Sequence, residues 1–259
     1  MLALALSGFA VPGFAQDGGL KGLQTGNDSR GWDSVGRLNL GDRGFCTGAL
    51  IAEDLVLTAA HCLFDKETGA RIDPATIEFL AGWRNGRAAA YRGVTKALAH
   101  PEYVYGGHEN IDRVQFDVAL LKLDQPIRLP SIRPFSTAGR PATGDQVEVV
   151  SYAQDRSEVP SLQQLCHVLD QRQGMLVLSC DVDFGSSGAP VFSMRDGALR
   201  IVSVVSAKAE MAGRKVSLGT PLTDPVPLLL AQMQDEGTRP LPGNVRVLSG
   251  GSGGKFIKP

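Results

Sequence analysis

Three side chains that together can break an acyl bond occur in the chain order His61, Asp117, Ser187. A serine hydroxyl is a weak nucleophile at neutral pH and needs a neighbouring base, and histidine is the side chain whose charge changes in that range. A carboxylate on the other ring nitrogen fixes the tautomer and stabilises the imidazolium as it forms. Taken alone, His61 beside Cys62 reads as a packed core histidine or a metal ligand. Its neighbours change that reading. Asp117 stands at the mouth of the apolar run Val118-Ala119-Leu120-Leu121-Lys122-Leu123, where an ionised carboxylate is costly without a partner, and His61 is the candidate partner. Ser187 lies in Asp183-Phe184-Gly185-Ser186-Ser187-Gly188-Ala189-Pro190. The glycines there allow a tight backbone that aims the N–H groups of Gly185 and Ser187 inward as an oxyanion hole, each donor contributing about 3–4 kcal/mol.

The elements that position these residues read as short strands: Cys46–Ile51, Leu55–Thr58, Val118–Leu123, Val147–Tyr152, Met175–Cys180, Ala189–Met194 and Ile201–Ser206. Turn residues such as Arg195-Asp196-Gly197 separate them, which predicts antiparallel all-β architecture. One helix is expected late, with Thr223-Asp224 before it, Pro225 in its first turn, an apolar face over Leu228–Met233 and Gly237 at its end. Residues 16–43 are rich in Gly, Asn, Asp and Ser and read as a lead-in or pro-segment, so ordered structure is expected from about Gly44. Residues 44–237 then form the folded unit, and 238–259 a flexible tail.

Composition bounds the function. The 259 residues are 43% apolar and 20% charged with a formal net charge of −1, which describes a globular chain with a sizeable core. No run of like charges makes a claim on nucleic acid or an anionic surface. The apolar run Leu2–Val11 is too short to span a membrane, and Gly13-Phe14-Ala15 offers small residues before Gln16. Residues 1–15 therefore read as a signal peptide, and the protein as secreted or periplasmic, although Lys21 is the first basic residue. The four cysteines fall into the local pairs Cys46 with Cys62 and Cys166 with Cys180, one of three connectivities, and export favours disulfides. The absence of any C-x-x-C clamp argues against structural zinc, and no metal or organic cofactor is expected.

The three segments resemble the histidine, aspartate and serine motifs of trypsin-like serine peptidases of the chymotrypsin fold. The order His–Asp–Ser is that of this family and differs from subtilisins and α/β-hydrolases. Ala189 also breaks a G-x-S-x-G elbow. The likeness spans about Gly44 to Met233, with further support from Ala99-His100-Pro101-Glu102-Tyr103 and Ile201-Val202-Ser203. It implies two six-stranded antiparallel β-barrels with a C-terminal helix, one disulfide in each barrel, and the catalytic residues at the seam. It further implies an endopeptidase working through an acyl-enzyme, with protein or peptide substrates, protein inhibitors as further partners, and a monomeric state. Two rivals belong to other classes: a catalytically silent binding protein on the same fold, and a cell-envelope structural or adhesion module.

Departures from the family pattern carry information. Ser186 stands where trypsin-like digestive enzymes place an aspartate that receives a newly cut N-terminal amine, and no Arg-Ile-Val-Gly-Gly site precedes the domain. In this the chain is more similar to secreted bacterial peptidases of the glutamyl endopeptidase group. The register of the family places Asp181 at the base of the specificity pocket and Ser203 in its wall, followed by Val204-Val205 in place of Trp-Gly. Asp181 either predicts cleavage after Lys or Arg or, because the Cys166–Cys180 pair reorganises the same loop, is a structural carboxylate, whereas Val205 narrows the entrance toward small residues. Val202 replaces the histidine that glutamyl endopeptidases carry before that serine, which weakens a glutamate preference. His100, His167 and the turn Gly106-Gly107-His108-Glu109-Asn110 are assigned no chemistry.

Overall fold

The computed structural model describes residues 19–106 and 111–238. The expected signal peptide, most of the expected tail and the turn residues 107–110 lie outside them. Thirteen strands appear in chain order: β1 Lys21–Gly22, β2 Val35–Leu40, β3 Phe45–Ala52, β4 Leu55–Thr58, β5 Ile77–Ala81, β6 Ala90–Ala99, β7 Ala119–Leu123, β8 Gln146–Ala153, β9 Arg156–Arg172, β10 Met175–Leu178, β11 Pro190–Arg195, β12 Ala198–Met211 and β13 Arg214–Pro221. Among the described residues a single α-helix, α1, spans Pro225–Thr238.

The first sheet closes as a six-stranded antiparallel barrel in the order β2-β3-β4-β7-β6-β5. Its strands are apolar on both faces because each face has a different core to fill. Leu50, Val56 and Leu121 point into the barrel with Leu38 and Phe79. Their chain neighbours Ala49, Leu57 and Leu120 point the other way, into a second cluster with Val150, Phe192, Ile201 and Val204 from the other sheet. The period of two therefore reads as a continuous apolar run where a strand is buried twice. Each fully buried leucine contributes about 1.5–3 kcal/mol. The same seam cluster takes Leu222, Val226 and Leu229, so α1 covers one end of the inter-barrel contact.

The second sheet runs β1-β9-β10-β13-β12-β11-β8, and a further β8–β9 pairing joins β8 through β13 into a ring. Val147, Val168, Leu176, Val191 and Val202 fill its interior beside Cys166 and Cys180. Both expected disulfides are present, Cys46 to Cys62 and Cys166 to Cys180. The seventh strand departs from the expectation of six, and it comes from the segment read as a lead-in. Lys21 and Gly22 pair with Leu162 and Ser161 of β9, and Leu23 behind them is buried in the seam. Residues 35–40 are likewise inside the fold, pairing with both β3 and β5 to close the first barrel. Gly36 and Asn39 disguise that strand in the sequence. Gly36 is required there because a Cβ would lie 2.4 Å from the Phe79 ring.

Candidate active site

Strand β4 ends at Thr58, and the chain turns into a short 3-10 helix, Ala60–Leu63, that carries His61. Cys62 in the same turn is tied to Cys46 on β3, which pins the helix to the barrel wall. Asp117 follows another 3-10 helix, Ile111–Phe116, just before β7. Because β4 and β7 are paired, with Thr58 opposite Ala119, the two exits lie side by side.

The carboxylate of Asp117 is 1% exposed and accepts three hydrogen bonds. The backbone N–H of His61 donates to Oδ1 at 2.8 Å, and His61 Nδ1 lies 2.7 Å from Oδ2. The third donor is the hydroxyl of Ser206, which reaches Oδ2 from β12 of the other barrel. Burial pushes the Asp117 carboxyl upward, but the His61 charge and the hydrogen bonds from His61 and Ser206 outweigh it and hold the group below its ordinary value. With Nδ1 engaged by Asp117, His61 also lines a cavity of about 290 Å3 together with Ser187.

Ser187 is held from both sides. Its carbonyl accepts the N–H of Thr47 from β3 at 2.8 Å, and the next N–H, of Gly188, donates to Val205 at 2.7 Å. Gly185 has φ +97 and Gly188 φ +76, so both sit in the left-handed region that glycine adopts without strain. A Cβ on Gly185 would lie 2.4 Å from the Phe45 ring. The Gly185 carbonyl is turned away to accept Thr47 Oγ1 at 2.9 Å. Among the described residues, the N–H groups of Gly185 and Ser187 find no backbone acceptor. Ser186 is fully buried, and its hydroxyl bonds Ser151 Oγ and the Tyr152 carbonyl, each at 3.2 Å. The loop is thus anchored by neutral contacts at the position where no carboxylate stands.

The pocket register differs from the sequence expectation by three residues. Ser203 does not face the site: it is buried, and its hydroxyl donates to the Thr220 carbonyl at 2.8 Å. Ser206 meets Asp117 instead, so Ala207 and Lys208 follow it along the cavity wall, and Val205 lines the cavity from the position just before it. Two buried serines three apart on one strand are indistinguishable by sequence, and only the partner of Asp117 separates them. Asp181 is not among the residues that line the cavity. It is exposed, and its N–H donates to Gln163 Oε1 at 2.7 Å, so the expected pocket base is a surface carboxylate. The cavity is instead bounded by Val182, Asp183, Phe184, Ala207 and Lys208, with Lys66, Tyr105 and Arg113 from the first barrel. Sequence reasoning also missed Thr47, which grips both Ser187 and Gly185.

Neither cysteine near His61 is free for a metal, since both are in the disulfide. His100 is buried against the Phe116 ring, with 5.1 Å between centroids, and accepts the Glu102 N–H, which fits the structural role expected of it.

The family model for the trypsin-like peptidase domain matches residues 46–200. Mouse (Mus musculus) serine protease 23 is 28% identical over 163 residues, which is 57% of this chain and 42% of that protein. Human kallikrein-10 is 33% identical over 111 residues, covering 41% of this chain and 38% of that protein. The chain thus matches less than half the length of these curated relatives. A solved structure of a Glu endopeptidase in complex with MPD superposes with a TM-score of 0.69 at 19% identity, covering 85% of this chain and 98% of that one. That likeness establishes the fold. With more than half of its length matched by the family model, the chain belongs to the trypsin-like peptidase family, on the chymotrypsin fold.

Proposed function

We propose that this protein is a secreted serine endopeptidase in which His61, Asp117 and Ser187 form the catalytic triad. The observation that carries the reading is the carboxylate of Asp117 held between the His61 ring and a hydroxyl of the opposite barrel, with His61 and Ser187 on one cavity. His61 Nε2 takes the proton of Ser187 as Oγ bonds to the scissile carbonyl carbon, and the carbonyl electron pair moves onto oxygen. The N–H groups of Gly185 and Ser187 receive that oxyanion. Collapse breaks the C–N bond, and the proton on His61 leaves with the amine. Water then attacks the acyl-enzyme, giving its proton through His61 back to Ser187 as the acid departs. Asp117 stays ionised throughout and holds the ring.

Export is supported by the two disulfides and by the small residues before Gln16, and we take residues 1–15 as the leader. Ser186 is satisfied by Ser151 and Tyr152, so no newly cut amine is needed to hold the oxyanion loop. A fluorophosphonate probe tests the reading. It is expected to label Ser187 in the mature protein and to fail in Ser187→Ala. Absence of labelling in folded protein would replace this reading with that of a silent binding module.

A further inference from the structure

The cavity at Ser187 is apolar in its walls and cationic at its rim. Val182, Val205 and Ala207 supply the walls, and Lys66, Arg113 and Lys208 reach it from three separate segments. Among the described lining residues the sole carboxylate is Asp183, and Lys208 Nζ already holds it at 2.9 Å. Lys208 also lies over the Phe184 ring at 4.0 Å, and Lys66 approaches the same ring at 5.7 Å, so two ammonium groups gather at one aromatic ring. Asp65, beside Lys66 in sequence, does not neutralise it, because Arg43 Nε occupies that carboxylate at 2.7 Å. Arg113 lies over Tyr105, and its Nη1 is buried without an acceptor. Arg113 thus adds a third cationic side chain to the cavity lining, although its Nη1 itself is shielded from solvent.

We propose that this rim selects substrates with acidic residues flanking the cleaved bond, and that the residue at the cleaved bond itself is small and apolar, seated against Val182, Val205 and Ala207. The proposal rests on the serine endopeptidase reading. A basic substrate would face three cations and a carboxylate already paired, whereas an acidic flank gives a counter-charge to Lys66 and Arg113, which have no carboxylate partner among the described residues. The chain as a whole carries a formal charge of −1, so the positive rim is a local feature and not a consequence of a basic protein. The β-branched Val205 limits the depth available to the cleaved residue.

The experiment compares quenched fluorescent peptides with alanine at the cleaved position and either Glu, Ser or Lys on its two flanks, using mature protein whose Ser187 has first been shown to take the fluorophosphonate. The expected order of kcat/KM is Glu above Ser above Lys, carried by KM, with the spread narrowing at high salt. In Lys66→Glu/Arg113→Gln the Glu-to-Lys ratio is expected to fall by about fivefold for each positive charge removed. Circular dichroism confirms that the variant is folded, and Lys66→Glu alone, at an exposed position, gives the same direction if Arg113→Gln is unstable. Equal or reversed preference in labelled wild-type protein overturns the acidic flank. Preferred cleavage after Glu or Lys in place of alanine overturns the apolar seat. Failure of labelling overturns the endopeptidase reading itself.

Discussion

The first barrel carries His61 and Asp117, and the second carries Ser187, yet the two halves hold these candidate residues by different means. His61 and Asp117 emerge from adjacent paired strands, one of them also tied by the Cys46–Cys62 disulfide, so short-range structure sets their distance. Ser187 has no such neighbour relation to them. Its loop is placed by contacts across the seam: Thr47 N–H to the Ser187 carbonyl, Thr47 Oγ1 to the Gly185 carbonyl, and Ser206 to Asp117. Half of the site is therefore as rigid as one barrel, and the other half only as well placed as the fit between two.

That contrast is broken most severely at Gly188. A Cβ there would lie 2.1 Å from Thr58 Oγ1 and 2.5 Å from the Thr47 carbonyl, both on the first barrel, and φ is +76. Gly188→Ala is expected to cost about 4 kcal/mol from strain and overpacking combined. Activity should fall further than stability alone explains, because the displaced element is the Ser187 loop. Denaturant unfolding and fluorophosphonate labelling measure the two effects. A variant of unchanged stability and labelling would show that the barrels give way easily at this contact.

The same difference governs what was legible in the residues. The candidates His61, Asp117 and Ser187 stood out because the proposed chemistry needs those types, and β3, β4 and β7 because strands buried on both faces read as apolar runs. β9 and β13 did not. Gln163, Gln164, His167, Ser217 and Thr220 interrupt their apolar residues, and pairing with neighbours on both sides supplies what local pattern lacks. The lead-in hid β2 for a similar reason, since Gly36 looks like a turn until Phe79 is packed on it. The pocket was misread through register: Ser203 and Ser206 are both buried polar residues of β12, and a bulge between Val205 and Ala207 lies just where counting along the strand would be needed. Lys66, Arg113 and Lys208 were invisible as a group because three distant segments bring them together.

A smaller effect sharpens the role of the first barrel. The ordinary value for a free aspartate is 3.8, and Asp117 lies below it in the fold. A carboxyl depressed on folding contributes stability that is present above its unfolded value and is lost as pH falls through the folded value. Asp117→Asn removes the titration and the charge on the His61 hydrogen bond, and is expected to lower stability by about 2 kcal/mol at pH 7. The gap between the two proteins should close as pH drops below about 4. Paired urea titrations from pH 7 to pH 3 check this. A gap that stays constant, or widens on acidification, would mean that the native state does not favour ionised Asp117.

The smallest effect decides the register of the second barrel. Ser206 donates to Asp117, and Ser203 donates to the Thr220 carbonyl within its own sheet, so the two hydroxyls are alike in burial and differ in what they touch. Removing either leaves one buried acceptor short of a donor, and both Ser206→Ala and Ser203→Ala are expected to cost about 1 kcal/mol of stability. Stability therefore cannot distinguish them, and turnover can. Loss of Ser206 takes away a donor that stabilises the carboxylate orienting His61, so kcat should fall by about tenfold with KM little changed. Loss of Ser203 alters a contact between β12 and β13 that lies away from the cavity, and kcat should stay within about twofold of wild type. The reverse outcome, with Ser203→Ala slow and Ser206→Ala fast, would return the register to the one the sequence suggested and remove Lys208 from the rim of the pocket. Equal losses in both variants would show that the strand moves as one piece, so that the seam, and not the individual hydroxyl, sets the position of Asp117.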